Sequence, residues 1–162
     1  MTSGKVINVV LAGLGGQGVV KASDILADVA FRAGLDVKKS EIHGMSQRGG
    51  SVATDVRFGP QVHSPMITPG EADCLVVVAP DQVDVNRGVL KAGGVLIEPA
   101  TLESAPGKIM AKSINVALLG ILSLQLDFPL TLWEEAIKAN LAEKHHKLNL
   151  DAFAQGRAAA QA

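Results

Sequence analysis

The chain has no tyrosine, one tryptophan and one cysteine in 162 residues, and each shortage closes off a class of function. With aromatics at 3% there are too few ring faces to hold successive unstacked bases, which argues against stacking recognition of single-stranded nucleic acid. A formal net charge of −1 and the lack of any basic cluster remove the electrostatic footprint of a nucleic-acid partner in general. Cys74 has no second cysteine to pair with, and one thiolate cannot hold an iron–sulfur cluster. Nothing suggests export, so a reducing cytoplasm is expected. No apolar run reaches the ~20 residues that span a bilayer, so no membrane partner is expected. The run 116–126 is interrupted by Gly120, Ser123 and Gln125. The run near the N-terminus ends in Gly15-Gly16-Gln17-Gly18, which is no signal cleavage site. No set of His, Cys and carboxylate residues has metal-ligand spacing, so no metal is expected on this chain.

What is present is apolar and alternating. At 48% apolar and 19% charged residues, the composition fits a sheet buried on both faces, and the length fits a single domain, 1–162. The periodicities predict a strand over 6–12, a helix over 17–33, and strands over 35–42, 51–58 and 74–79. A helix starting with Pro80 and stopped by Gly93-Gly94 comes next, followed by short strands over 95–97 and 108–111. Helices over 115–126 and 131–143 follow, the latter with capping-box spacing between Thr131 and Glu134. Asn149 is expected to cap a last helix that frays at Ala158-Ala159-Ala160. The alternation predicts a Rossmann-like α/β fold, an open, mostly parallel sheet with helices on both faces. A ligand then belongs beyond the carboxyl ends of the strands.

At that end lies Gly13-Leu14-Gly15-Gly16-Gln17-Gly18, with the spacing G-x-G-x-x-G between a strand and a helix. Glycine permits a sharp turn and lets a phosphate approach main-chain N–H groups, which are the unpaired donors of the helix's first turn. A phosphate- or nucleotide-bearing ligand and a turn that merely packs strand against helix both fit this pattern. Glu41 lies at the distance after Gly18 expected of a ribose-binding carboxylate, which keeps an independent NAD-binding oxidoreductase as the alternative reading.

The second unusual stretch is Glu41-Ile42-His43-Gly44-Met45-Ser46-Gln47-Arg48-Gly49-Gly50. It sets Ser46, Gln47 and Arg48 beside two glycines, directly after a strand and at the same end of the sheet. Arg48 offers a planar fork suited to phosphate or carboxylate. By itself this stretch also reads as a surface loop.

Together the two stretches resemble the gamma subunit or domain of 2-oxoacid:ferredoxin oxidoreductases, above all the small (beta) subunit of the indolepyruvate enzymes. Ala72-Asp73, Asn115-Val116-Ala117-Leu118-Leu119-Gly120 and Asn149-x-x-Ala152-Phe153-x-x-Gly156 extend the resemblance over about the whole chain. It implies a subunit of a heteromeric enzyme that oxidatively decarboxylates a 2-oxoacid to an acyl-CoA and reduces ferredoxin. The chain alone is then not catalytic. Thiamine diphosphate, Mg and iron–sulfur clusters are implied for the partner subunits, and CoA for this one. Carried over, Gly13, Gly15, Gly16, Gln17 and Gly18 would face CoA or a partner, with Ser46, Gln47, Arg48, Gly49 and Gly50 as the adjoining loop. The 2-oxoacid itself is left open among aryl pyruvates, phenylglyoxylate, pyruvate, ketoisovalerate and ketoglutarate.

Other polar residues carry less. His43 is either an acid–base group or a positioning one; His63 and His145-His146 read as surface or interface. Cys74 heads a buried strand and reads as core, Asp81 complements a helix dipole, and Trp133 reads as a packing anchor.

Overall fold

The computed structural model describes residues 4–43 and 50–162. The first apolar run becomes β1 (Ile7–Leu14), and its alternation divides the interior in two. Ile7, Val9 and Leu11 point into the larger core, Val10 and Ala12 into a smaller one behind the sheet. The near-continuous apolar run of β4 (Ala72–Val77) has the same cause: Cys74 and Val76 face one core, Leu75 and Val77 the other. A strand covered on both sides has no face to give to polar residues.

Five strands form one sheet in the order β2-β3-β1-β4-β5. β1, β4 and β5 (Leu90–Ile97) are parallel neighbours. β3 (Ser51–Gly59) runs antiparallel to both β1 and β2 (Asp36–His43). Only β3 therefore opposes the common direction, and the sheet is mixed but mostly parallel. The expected strand–helix–strand unit is present, with β2 parallel to β1 in direction, but β3 is inserted between them. It lies in register from Ile7 opposite Phe58 to Leu14 opposite Ser51.

The two faces are covered unequally. On the larger core, α1 (Val19–Arg32) buries Val19, Ala22, Ile25, Leu26, Val29 and Ala30, the stripe expected of a 3.6-residue period. α3 (Ile114–Ser123) is apolar all round and buried, and α4 (Leu130–Asn140) and α5 (His146–Gln161) complete that side. Four of the five aromatics gather here: Phe58, Phe128, Trp133 and Phe153 stack in sequence with ring centroids 5.5, 6.3 and 5.5 Å apart, while Phe31 is exposed. Trp133 is fully buried in that row, the packing role expected of it. Among the described residues, the other face is covered more thinly, by Val83 at the start of the one-turn α2 (Val83–Asn86), by Val89, and by Ile67 from the segment before β4.

Several local expectations fail, each for a visible reason. The helix expected after Pro80 breaks into a 3-10 turn (Pro80–Gln82), α2 and a second 3-10 turn (Arg87–Val89). Gly93-Gly94 do not stop a helix; they lie within β5. There the register passes from Ala72 opposite Leu90 to Cys74 opposite Val95, so the glycines serve an irregular bulge. No strand forms over 108–111. Its neighbour Gly107 donates its N–H to Gln155 Oε1 of α5 at 2.7 Å, which ties the segment to a helix instead of the sheet edge. Thr131 caps nothing, because the helix already starts at Leu130 after Pro129 and no side chain caps it. Asn149 sits inside α5, donating Nδ2–H to the His145 carbonyl at 2.9 Å. The helix runs on to Gln161 with Ala159 buried, so the alanine end does not fray.

Candidate functional site: a glycine turn between two helix heads

β1 hands the chain to α1 through Gly15-Gly16-Gln17-Gly18, and the turn is closed from within. Gln17 Oε1 accepts the Leu14 N–H at 2.7 Å, and the Gln17 N–H donates to the Leu14 carbonyl at 3.2 Å. Gly16 and Gly18 have φ of 88° and 76°, the left-handed region in which a side chain is strained. Gly18 is the N-cap of α1. Its carbonyl accepts the Ala22 N–H at 2.9 Å and the Asn115 Nδ2–H at 3.1 Å. A Cβ on Gly18 would collide with that amide nitrogen, whereas one on Gly16 would meet open space.

Asn115 belongs to the first turn of α3, so this bond locks the head of α3 against the head of α1. Neither first turn contains an acidic residue. The N–H groups of Val19, Val20 and Lys21 take no partner among the described residues. Two helix N-termini and their partial positive charges therefore converge.

The place is a topological switch point. α1 leaves β1 toward the larger core, while the turn after β4 sends Val83 into the smaller one. β1 and β4 are held together up to this end by the Val78 N–H donating to the Ala12 carbonyl at 2.9 Å. Open sheets bind ligands where the connections part in this way. A cleft of about 430 Å³ occupies the spot, lined by Gly16, Gln17 and Gly18 from one helix head, Lys112 and Ile114 from the other, and Val78 beneath. A second, of about 240 Å³, opens on the other side of Gly18 between Lys21, Lys112, Asn115 and His145. Neither lysine has an ion-pair partner among the described residues.

The expected site residues fall into two groups. Gly13 lies in β1 opposite Val52, Gly15, Gly16, Gln17 and Gly18 form the turn after it, and Gly50 is joined to that turn by the Gly15 N–H donating to the Gly50 carbonyl at 2.8 Å. This bond brings the last residue of the second motif to the turn. Ser46, Gln47, Arg48 and Gly49 lie outside the described residues. His43 ends β2 opposite Val52. Lys21, Lys112 and the amide of Asn115 were not singled out as site residues from sequence. The only local signal was the helix start at Asn115, since nothing in the spacing brings residue 112 to residue 18.

The remaining candidates take other places. Glu41 pairs with Lys39 at 3.2 Å on β2. Because β3 separates β2 from β1, Glu41 is two interstrand steps, about 10 Å, from the strand that carries the turn. That is poor placement for a ribose carboxylate. Cys74 is fully buried, and burial, with the charge of Asp73 adding to it, pushes its thiol up to about 12 despite the opposing influence of Lys91. It is no nucleophile. Asp73 accepts the Asn8 N–H at 2.8 Å at the opposite end of the sheet. Asp81 is exposed in the turn after Pro80, and His63 is exposed. His146 Nε2 lies 2.9 and 2.8 Å from the carbonyls of Lys138 and Leu141, a structural clasp. No helix of the described residues is long and apolar enough to cross a membrane.

A five-stranded, mostly parallel sheet with a braced glycine turn at its switch point defines a Rossmann-like α/β domain. Comparison with known proteins gives the family: residues 8–112 match pyruvate ferredoxin/flavodoxin oxidoreductase, and the chain belongs to that family. It is 33% identical to the indolepyruvate oxidoreductase subunit IorB of Thermococcus kodakarensis, over 97% of each chain. Among solved structures it shares its fold with the gamma subunit of a keto/oxoacid ferredoxin oxidoreductase from Geobacter sulfurreducens (TM-score 0.78, 23% identity, 96% and 98% of the two chains). It likewise matches the 2-oxoglutarate:ferredoxin oxidoreductase of Magnetococcus marinus (TM-score 0.79, 20% identity), a structure with coenzyme A and succinyl-CoA bound. There it covers 97% of itself but 31% of that longer chain. Its relatives are oxidoreductase subunits, which favours the 2-oxoacid reading over an independent NAD enzyme.

Proposed function

We propose that this chain is the gamma-type subunit of a heteromeric, cytoplasmic 2-oxoacid:ferredoxin oxidoreductase, acting on an aryl pyruvate such as indolepyruvate, and that it handles CoA. The observation that carries the reading is the convergence of two acid-free helix heads and Lys112 on one cleft, in a chain of this family. CoA supplies the thiol that accepts the acyl group. This chain would hold its phosphates: the N–H groups of the α1 head and Lys112 line the same cavity, and Arg48 of the second motif would add a fork. The residues present fit such a group, because anions are favoured there and no carboxylate of either first turn opposes them. Decarboxylation and electron transfer to ferredoxin then belong to partner subunits carrying thiamine diphosphate, Mg and iron–sulfur clusters.

Co-expression with the thiamine-diphosphate subunit tests the assembly. A stable complex with CoA-dependent oxidation of the 2-oxoacid is expected, and a chain that purifies alone, with no thiamine-dependent partner, would overturn it. In the complex, Arg48→Ala is expected to weaken CoA by ~1–3 kcal/mol, the scale of a lost charge-assisted hydrogen bond.

A further inference from the structure

At one margin of the sheet β2 leaves a long, regular edge bare. Its register with β3 is unbroken from Asp36 opposite Gly59 to His43 opposite Val52. Among the described residues no strand pairs with its other side, and none of residues 36–42 is buried. Every second residue of such a strand turns its N–H and its C=O outward together, so the edge is a template for a further strand. The opposite margin is protected, because the irregularity at Gly93-Gly94 interrupts β5, and a bulge of that kind spoils an edge for pairing. β2 has neither bulge nor proline. Its own protection would be Lys38 and Lys39, since edge lysines repel a strand that meets them with like charge.

Register decides whether those lysines repel. Side chains alternate between the faces of a sheet, so a two-fold axis that joins two copies edge to edge pairs residues of the same face, and the residue on the axis meets itself. In a strand that runs Asp36–His43, the longest overlaps are centred on Lys39 or on Ser40. Centring on Lys39 sets two ammonium groups against each other. Centring on Ser40 places Lys39 of each copy opposite Glu41 of the other. Both side chains lie on the α1 side, where Lys39 Nζ reaches Ser23 Oγ at 3.1 Å and Glu41 at 3.2 Å. On the thinly covered side the two Ser40 hydroxyls meet at the axis. There Lys38 of each copy stands opposite the exposed Ile42 of the other and can lay its apolar stem over it. One step further, centring on Glu41, brings two carboxylates together. Opposite charges directly across a ladder stabilise it and like charges oppose it, so the charges select the Ser40 register. We propose that β2 pairs antiparallel with β2 of a second copy of this chain, centred on Ser40, joining the two five-stranded sheets into one. The pairing does not depend on the CoA reading. The glycine turn follows β1, which β3 separates from the paired edge in each copy.

The full chain is the test object. Sedimentation equilibrium is expected to show a dimer with a dissociation constant in the micromolar range. Ser40→Cys puts a thiol on the axis, and because Cys74 is fully buried with its thiol near 12, the new thiol is the reactive one. Under mild oxidation this variant is expected to form a disulfide-linked dimer about tenfold or more faster than Lys38→Cys. In the latter the two thiols would lie four residues apart along the paired strands, about 14 Å at roughly 3.4 Å per residue, too far to bridge. Glu41→Lys, at an exposed position, turns both opposite-charge pairs into like-charge ones and is expected to weaken the dimer about tenfold or more. A chain that stays monomeric up to submillimolar concentration overturns the proposal. So does a Ser40→Cys chain that cross-links no faster than Lys38→Cys, or a dimer that Glu41→Lys leaves unchanged. None of these outcomes touches the larger reading, which stands or falls on assembly with the thiamine subunit and on Arg48→Ala in the complex.

Discussion

Gly18→Ala separates two costs that usually come together. An L side chain at the φ of 76° costs roughly 1–2 kcal/mol from backbone sterics. At Gly18 the new Cβ must also displace the Asn115 amide, an overpacking of about 1–3 kcal/mol. The expected loss is ~2–5 kcal/mol, or roughly 5–15 °C in Tm for a chain of this size. Gly16→Ala is the control, since its φ of 88° is as left-handed but its Cβ meets nothing within 4 Å; it should cost only the backbone share, ~1–2 kcal/mol. Asn115→Ala removes the obstacle together with the 3.1 Å bond to the Gly18 carbonyl, at about 1 kcal/mol. Urea unfolding of the three single variants and of the Gly18/Asn115 double variant completes a cycle. The double variant is expected to be more stable than the sum of its singles by at least ~1 kcal/mol. Equal costs at Gly16 and Gly18, or strict additivity in the cycle, would refute the locked pair of helix heads.

Three further outcomes follow from packing and titration. α3 and α5 cross where Gly120 would put a Cβ on the Phe153 carbonyl and Gly156 one on the Ala117 carbonyl. Gly156→Ala should therefore destabilise by ~2–3 kcal/mol in thermal unfolding, despite the ~1 kcal/mol that alanine gains in a helix. Cys74, with its thiol held near 12, should stay unreactive to a thiol reagent at pH 8 in the native chain and react on unfolding. A native chain that labels quickly contradicts its burial. Asp55 is buried on β3, and desolvation raises its carboxyl above the usual value, against the opposing hydrogen bond from the Ile67 N–H at 2.9 Å. A raised native value means that the folded chain binds the proton more tightly than the unfolded one, so the site contributes stability at low pH and loses it as pH rises through the raised value. Asp55→Asn should accordingly stabilise at neutral pH relative to wild type, with the advantage shrinking on acidification; the reverse trend in pH-dependent urea unfolding would refute the sign.

The parts of this molecule set by local pattern were legible in its sequence. β1, α1 and β4 announce themselves by period and by the glycine motif, because each buries a contiguous stripe whose spacing is the spacing of the element. What stayed hidden is long-range. No periodicity reports that β3 slots antiparallel between β2 and β1, although this insertion moves Glu41 away from the turn and undercuts the NAD alternative. Gly93-Gly94 look the same whether they stop a helix or bulge a strand, and the neighbouring strand decided it. The site was half legible for the same reason. The glycines carry their purpose in their spacing, whereas Lys112 and Asn115 reach Gly18 across 94 and 97 residues, respectively, only because α3 packs beside α1.

The central claim is that the heads of α1 and α3 together face CoA in an assembled enzyme. Hydrogen exchange of the complex with the thiamine-diphosphate subunit, measured with and without saturating CoA, tests it most directly. The account predicts slowed exchange at residues 15–20 and 111–115 together, with the rest of this chain unchanged. Slowed exchange confined to the partner subunit, with both helix heads exchanging as before, would contradict it.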